Sequence, residues 1–521
     1  MVTNLRYLLI YLFLIWQATS ALLYPQSLNY IDGKVINSAT SDPVPFATIK
    51  LKNNQLGVYA NAEGDFKIAP NPEFQNDSII VTCIGFKQSS LAFNDLSKKA
   101  VNKVFLTPLV YGLAEVKVIA SRSKINSLAI IRRAIRKIVN NYPVKPYSYI
   151  AYYRDYQKRE SNYINLNEAI IQTLDTGFNS ESLSNRYRLL DFRKNTDFPR
   201  MRISPYYELY DFHDLNNPDK TIPKAILGDQ YGNELFILMV HDAIRNFNTR
   251  SFSFIETFST DFILNHNFSE PSRVFNNNLL LYKIDFEAKH MITGDSLQVS
   301  GAIYIQPKDY SIHKLEYTCF YKTEGEGLKK MFNIDVEYGY DNSVDSLMCL
   351  KYISFNNIFK VVDWDDNTYF RILNSYLDTQ SNLKASIILH FNNRIDPVSG
   401  SRKGNYEIMA GKKELKINHI QVTGKNLYLR LKDDDLKTRN DSIRVNVENV
   451  KDINGNILDK RKSITLYQYR ELFVQEYNKP LTLKDSCYMQ YLPLENNCIS
   501  KFSGKDKYWM NTPENIKINN K

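Results

Sequence analysis

The side chains best suited to chemistry in this 521-residue chain are its histidines and acidic residues, and their spacing argues against most reactions. Seven histidines stand at 213, 241, 266, 290, 313, 390 and 419, and none has the i, i+4 spacing that puts two imidazoles on one helical face around a metal. Asp211-Phe212-His213-Asp214 gathers the residue types of acid–base hydrolysis. Asp363-Trp364-Asp365-Asp366-Asn367 sets an aromatic ring among carboxylates, as a hairpin loop or a carbohydrate or cation contact would. Hydrolysis of a glycan or of peptidoglycan needs two carboxylates roughly 5 to 9 Å apart across a cleft, and neighbours in sequence do not define one. Asp452-x-Asn454-x-Asn456 alternates oxygens as a calcium loop does, but Gly455 falls fourth instead of sixth and no Glu stands twelfth, so the segment reads as a turn. No phosphate-binding loop, His-Glu-x-x-His, Gly-x-Ser-x-Gly or Cys-x-x-Cys occurs. The expectation is no metal, no cofactor and a non-enzymatic protein, with a hydrolase as the alternative.

Five cysteines, at 83, 319, 349, 487 and 498, are too few for a disulfide framework. The candidate bridge joins Cys487 to Cys498, and Cys83, between Val81 and Ile84, reads as a core residue.

Formal net charge is +10, spread along the chain with no recognition motif for nucleic acid. One local cluster, Arg132, Arg133, Arg136 and Lys137, lies opposite Leu128, Ile131, Ile135 and Ile138 when residues 127–141 are wound as a helix. Asn126 or Ser127 caps that helix, and Pro143 restricts Tyr142 and stops it. Its basic face is either a solvated surface or a contact for an anionic membrane or a partner. Arg154 and Glu168 are charges embedded in apolar, aromatic runs, which suggests a cross-strand ion pair that fixes register.

These residues need elements to position them. Residues 1–26 read as a secretory signal peptide, with Arg6 ahead of the apolar run Tyr7 to Trp16, so the chain is expected in the periplasm, at the periplasmic face of the outer membrane or at the cell surface. From 27 to 108, runs of four to six apolar residues are bounded by Gly, Pro, Asn or Asp, the pattern of a small antiparallel sandwich. Ala47, Ile49 and Leu51 alternate with Thr48, Lys50 and Lys52, as a half-buried strand requires. Gly64 is expected to supply a tight turn, after which Phe66 and Ile68 point inward.

Gly33, Val35, Pro45, Ala47, Ile49, Gly57, Gly64, Phe66 and Ile68 carry a pattern that resembles the carboxypeptidase-regulatory-like, transthyretin-like module of many Bacteroidetes surface and envelope proteins. Asn61 and Phe46 depart from it, where the family prefers Asp and a small or Leu–Gly pair. The resemblance implies a seven-stranded, non-catalytic β-sandwich in which these glycines and apolar residues are turn and core positions.

After a linker strand at 109–125, the region 126–380 holds the helix at 127–141, a loop-like stretch at 180–230, a buried helix at 233–247 and then serial alternating strands from 252 to about 373. Such a meander is expected to form a large curved antiparallel sheet. It resembles the half-barrel of periplasmic lipoprotein carriers, whose helices close a curved sheet around a hydrophobic cavity. Ala134, Ile135, Ile138, Asn141, Tyr142, Pro143, Tyr149, Tyr153, Arg154, Gly301, Ile303, Tyr304, Ile305, Tyr310 and Ile312 are similar to elements of an uncharacterised Bacteroidetes envelope family. A β-rich region at 381–480 and a peripheral tail at 481–521 complete the reading. The fold expected is mainly β, a sandwich followed by a half-barrel-like sheet with a few packed helices. The function expected is binding of a lipid or other amphipathic ligand or of an envelope protein partner, or else structural scaffolding.

Overall fold

The computed structural model describes residues 31–109 and 126–501, less 195–220, 223–233, 363–368, 379–384, 433–441, 479–486 and gaps of five residues or fewer, together with Tyr508. The expected signal segment, nearly all of the linker 109–125, and the clusters Asp211–Asp214 and Asp363–Asn367 lie outside the described residues.

The N-terminal unit is a β-sandwich of eight strands: β1 (Ile31–Asn37), β2 (Thr48–Leu51), β3 (Gly57–Tyr59), β4 (Asp65–Ile68), β5 (Ser78–Thr82), β6 (Phe86–Lys87), β7 (Ser89–Ala92) and β8 (Asn102–Pro108). Seven strands were expected, and a two-residue strand such as β6 has no periodicity to read. The sheets run β4-β1-β8-β6 and β3-β2-β5-β7. Ala47, Ile49, Leu51, Phe66 and Ile68 are buried between them. Gly33 lies opposite Phe66 across β1 and β4, and a Cβ there would fall 2.1 Å from the Phe66 ring. Gly64 makes the turn before β4 with φ +76°, a conformation that glycine adopts at least cost.

The second unit is one large antiparallel sheet with a few helices. In chain order its elements are α1 (Ser127–Asn141), β9 (Tyr147–Arg159), β10 (Asn162–Asp175), β11 (Arg186–Lys194), β12 (Thr221–Ile222), α2 (Glu234–Val240), α3 (Asp261–Asn265), β13 (His266–Phe268), β14 (Ser272–Asn276), β15 (Leu279–Ala288), α4 (His290–Thr293), β16 (Leu297–Ile305), β17 (Ile312–Thr323), β18 (Gly327–Asp341) and β19 (Leu347–Val362). α1 begins where Asn126 Oδ1 accepts the Ala129 N–H and ends at Tyr142. α2 is shorter than the 233–247 helix expected. Asp242 Oδ1 accepts the Ile244 and Arg245 backbone N–H groups, which turns the chain by offering those donors a side-chain acceptor. The stretch expected to be loop from 180 to 230 contains β11, which pairs with β10.

Between β19 and the last strand of this sheet the chain makes a third unit. β20 (Ile372–Asp378), β21 (Ser386–Phe391), α5 (Pro397–Gly400), β22 (Tyr406–Ala410), β23 (Lys413–Glu414), β24 (Ile417–Thr423), β25 (Asn426–Leu431) and β26 (Ile443–Val447) form two sheets around a separate core that includes Phe370, Phe391, Leu427 and Val450. β27 (Ser463–Asn478) then returns to the middle of the large sheet, between β19 and β9. The boundaries expected at 380 and 480 therefore cut across the fold, because β27 belongs with β9 and not with the strands just before it. The sheet order is β11-β10-β9-β27-β19-β18-β17-β16-β15-β13, with β12 and β14 pairing from the side.

One face of this sheet is covered by the helices. There Ile131, Ile135 and Ile138 of α1, Leu235 and Leu238 of α2, and Tyr153, Phe286, Ile303, Tyr317 and Leu472 of the strands share the main core. The tail also contributes: Met489 and Leu494 join that core, and the Met489 and Ser500 N–H groups donate to the Tyr187 and Leu189 carbonyls of β11. The tail is thus not wholly peripheral. No helix among the described residues is long and apolar enough to cross a membrane.

Candidate functional site

The sandwich docks on the face of the large sheet that the helices leave open, and it touches that face in two places. Phe46 and Tyr59 pack with Ile150, Tyr152, Ile170, Tyr352 and Phe473. At the other end Ile84 packs against Leu281, Ala302 and Tyr304, and the Gly85 N–H donates to the Phe275 carbonyl of β14. Lys158 of β9 and Glu63 of the sandwich add an ion pair at 2.6 Å.

Between the two contacts lies a cleft of about 620 Å³, lined from the sandwich by Thr48, Lys50, Gly57, Tyr59 and Ile84. The sheet's side supplies His313, Glu337 to Asp341, Lys351, Val474, Gln475 and Tyr477, with Asn276 and Leu279 at the end. Strand alternation explains which of the β18 residues aim their side chains at the sandwich. Tyr338 points into the helix-side core, while its neighbours in sequence Glu337 and Gly339 face the sandwich, as a period of two demands. Bulges at Glu337/Tyr338 and Val474/Glu476 interrupt the ladders beside Lys351 and Gln475, and bulges re-aim side chains.

The charges that the sheet contributes to the cleft are held in ion pairs. Glu337 accepts Lys314 at 3.0 Å, and the same ammonium lies 2.9 Å from Glu316. Lys351 lies 3.0 Å from Asp341 and 4.3 Å from the Tyr477 ring centroid. Burial, with the like charge of Lys50, holds the Lys351 ammonium below its ordinary value against the pull of Asp341. Burial also brings His313 down to about 4. Glu337 and Asp341 are four residues apart on one strand, roughly 13 Å, too far to flank a glycosidic bond as paired carboxylates do.

A different carboxylate pair lies on the helix-covered face. Burial, with the neighbouring charge of Glu234, pushes Asp155 up to about 7. Arg470 bonds Glu234 through Nε and Asn357 through Nη1. Among the described residues no three His, Cys, Asp or Glu side chains converge as a metal site.

The residues singled out in the sequence are scattered. Arg154 and Glu168 do face each other in register, but the ion pair they were expected to form is redirected. Arg154 Nε bonds Glu471 on its other neighbour, β27, and Glu168 accepts Tyr152 Oη at 2.6 Å. Glu471 was missed because nothing local tells which strand will lie beside β9. Arg132, Arg133, Arg136 and Lys137 form the exposed face of α1, with Arg133 over Tyr310 at 4.4 Å. His241 is a core residue, its Nδ1 bonded to the Ile237 carbonyl at 2.6 Å and its ring stacked on Phe355. Asp452 forms a turn, accepting the Asn454 and Asn456 N–H groups. Cys487 and Cys498 are bridged, with Cα atoms 5.9 Å apart. Of the sandwich positions, Pro45 is exposed at a turn, Ala47 is core, and Gly57 lines the cleft. Among the described residues the main core occupies the space between helices and sheet where a hydrophobic cavity was expected, and the cleft opens on the opposite face.

The CarboxypepD_reg-like domain model matches residues 31–118. The N-terminal sandwich is a carboxypeptidase-regulatory-like domain. No curated protein matches the chain. A regulatory-like domain of this kind is consistent with a non-catalytic binding or scaffold architecture, and here it forms one wall of the cleft.

Proposed function

We propose that this is a non-catalytic binding protein, working outside the cytoplasm at the cell envelope, that holds a small amphipathic ligand between its regulatory-like domain and its large sheet. The observation that carries this reading is the composition of the cleft walls. Apolar Ile84, Leu279 and Val474 and the rings of Tyr59 and Tyr477 share the lining with a few placed charges, the usual make-up of a ligand pocket. The walls come from both units, so an occupant touches both. The disulfide Cys487–Cys498 and the apolar run near the N-terminus support an oxidising, exported setting.

The test uses the full chain purified under native conditions. Mass spectrometry of its organic extract is expected to reveal a small amphiphile, and a fluorescent amphiphile is expected to bind the stripped protein with about one site per chain. Thr48→Trp, which fills the cleft from β2, should abolish that binding. Binding unaltered in Thr48→Trp would move the site elsewhere and defeat the proposal.

A further inference from the structure

We propose that Lys50 and Lys351 form a clamp for the anionic head of the ligand, a carboxylate or phosphate carried on an apolar body. This rests on the reading that the cleft binds an amphiphile, and it assigns the ligand's charge and orientation. The two lysines reach the cleft from opposite walls, one from β2 of the sandwich and one from β19 of the sheet. At their end of the cleft stand two ammonium groups and one lining carboxylate, Asp341. The other lining carboxylate, Glu337, is held by Lys314 at 3.0 Å. Lys50 has no carboxylate within ion-pair distance among the described residues.

Local structure favours the convergence. Lys50 pairs in register with Gly57 on β3 and with Ile80 on β5, so on the β3 side no side chain stands opposite it. Gly339 lies under the Lys351 stem: a Cβ there would come within 3.2 Å of Lys351 Cε. The ammonium of Lys351 sits over the Tyr477 ring and is fixed by Asp341. Two like charges brought together beside apolar surface repel, and an anion between them replaces that repulsion with two charge-assisted hydrogen bonds. Burial is the main reason the Lys351 ammonium holds its proton less firmly than usual, and the like charge of Lys50 adds to it. With the head at the lysines, the apolar body runs along the cleft toward Leu279 and Ile84.

The experiment titrates stripped full-length protein with 11-(dansylamino)undecanoic acid and with its methyl ester, which carries the same apolar body and no negative charge. Wild type is expected to bind the acid about tenfold or more tightly than the ester. Lys50→Met should weaken binding of the acid several-fold and so narrow its advantage over the ester. Lys50 lies on the exposed face of β2, so this variant should keep its circular dichroism and melting temperature. Lys351→Met is the second variant, with the same expected loss for the acid. Dodecanoate and dodecyl phosphate should each displace the acid probe at lower concentration than dodecanol, and the better of the two names the head.

Equal affinity of wild type for acid and ester, an unchanged acid affinity in Lys50→Met, or displacement by dodecanol as readily as by the anions would overturn the clamp and leave the cleft reading in place. Failure of both probes to bind, or their equal binding to Thr48→Trp, would remove the cleft reading and the clamp together.

Discussion

The ring of Phe46, in the sandwich, stacks on that of Tyr352, in the middle of the large sheet, with centroids 4.9 Å apart. Phe46 achieves this from a left-handed backbone, φ 59°, which costs a residue bearing a Cβ about 1–2 kcal/mol. Tyr352 also meets Tyr59 and Phe473, at 5.8 and 5.0 Å. The regulatory-like domain is therefore seated on an aromatic cluster and not merely tethered to the sheet, which is why the cleft beside it has two fixed walls.

Substitutions at Phe46 should separate the ring from the strain. Phe46→Ala loses the stack and keeps the unfavourable φ, whereas Phe46→Gly loses the stack and relieves it. Glycine is expected to be the milder change, by about 1 kcal/mol in chemical denaturation. Tyr352→Ala, at a fully buried position, should cost about 3–5 kcal/mol. Alanine equal to or better than glycine at 46 would mean that the backbone there is not strained.

Arg154 and Glu471 are both completely buried. The Arg154 Nη1 and Nη2 atoms and Glu471 Oε1 have no hydrogen-bond partner among the described residues. Such a pair stabilises little in itself, but removing one partner strands a buried charge at a cost of about 3–5 kcal/mol. Glu471→Leu or Arg154→Met alone should be strongly destabilising by urea unfolding. The double variant should recover most of the loss. A double variant as unstable as the sum of the singles would show that the charges themselves, and not their pairing, hold the strands.

The pH dependence of stability carries opposing contributions. Asp155, pushed up to about 7, keeps a proton in the folded state that the unfolded chain releases near 3.9. Its contribution is therefore complete below about pH 4 and is lost as pH rises toward 7, by at most ~1.4 kcal/mol per pH unit. His241, His266 and His313 are each held down to about 4, burial being the leading cause. The unfolded chain protonates them first, so their contribution is present above about pH 6.5 and is lost as pH falls through 4. Asp155→Asn removes the first effect alone. Its melting temperature relative to wild type should climb between pH 5 and pH 8, and a difference that stays flat would contradict the raised carboxyl.

Legibility in the sequence followed the range of the interactions. The turn at Gly64, the alternation of Ala47, Ile49 and Leu51, and the cap, stripe and stop of α1 are fixed within a few residues of each position, and all could be read directly. The meander from β15 to β19 was readable because each strand pairs with the next one in the chain. By contrast, β27 sits beside β9 across some 300 residues of sequence, and no local pattern specifies that choice. The same distance hid Glu471 as the partner of Arg154 and made the third unit look like a C-terminal region when it is an insertion. The cleft was invisible for a related reason: Lys50 and Lys351 are unremarkable on their own strands, and only docking of the sandwich brings them to one opening.

The bridge between Cys487 and Cys498 closes a short loop whose flanks cover the outer strand of the sheet. Met489 within the loop and Ser500 just beyond it donate backbone hydrogen bonds to Tyr187 and Leu189, so β11 is capped where its edge would otherwise be open to pairing. A loop of this length is worth about 2–3 kcal/mol through the chain entropy that the bridge removes. Replacing both cysteines by alanine should lower stability by that order and, more specifically, should speed amide exchange at Met489 and Ser500 well before exchange at the central strands β9 and β27. Uniform acceleration throughout the sheet would instead mean that the bridge acts on the whole unit and that the capping loop is no separate structural device.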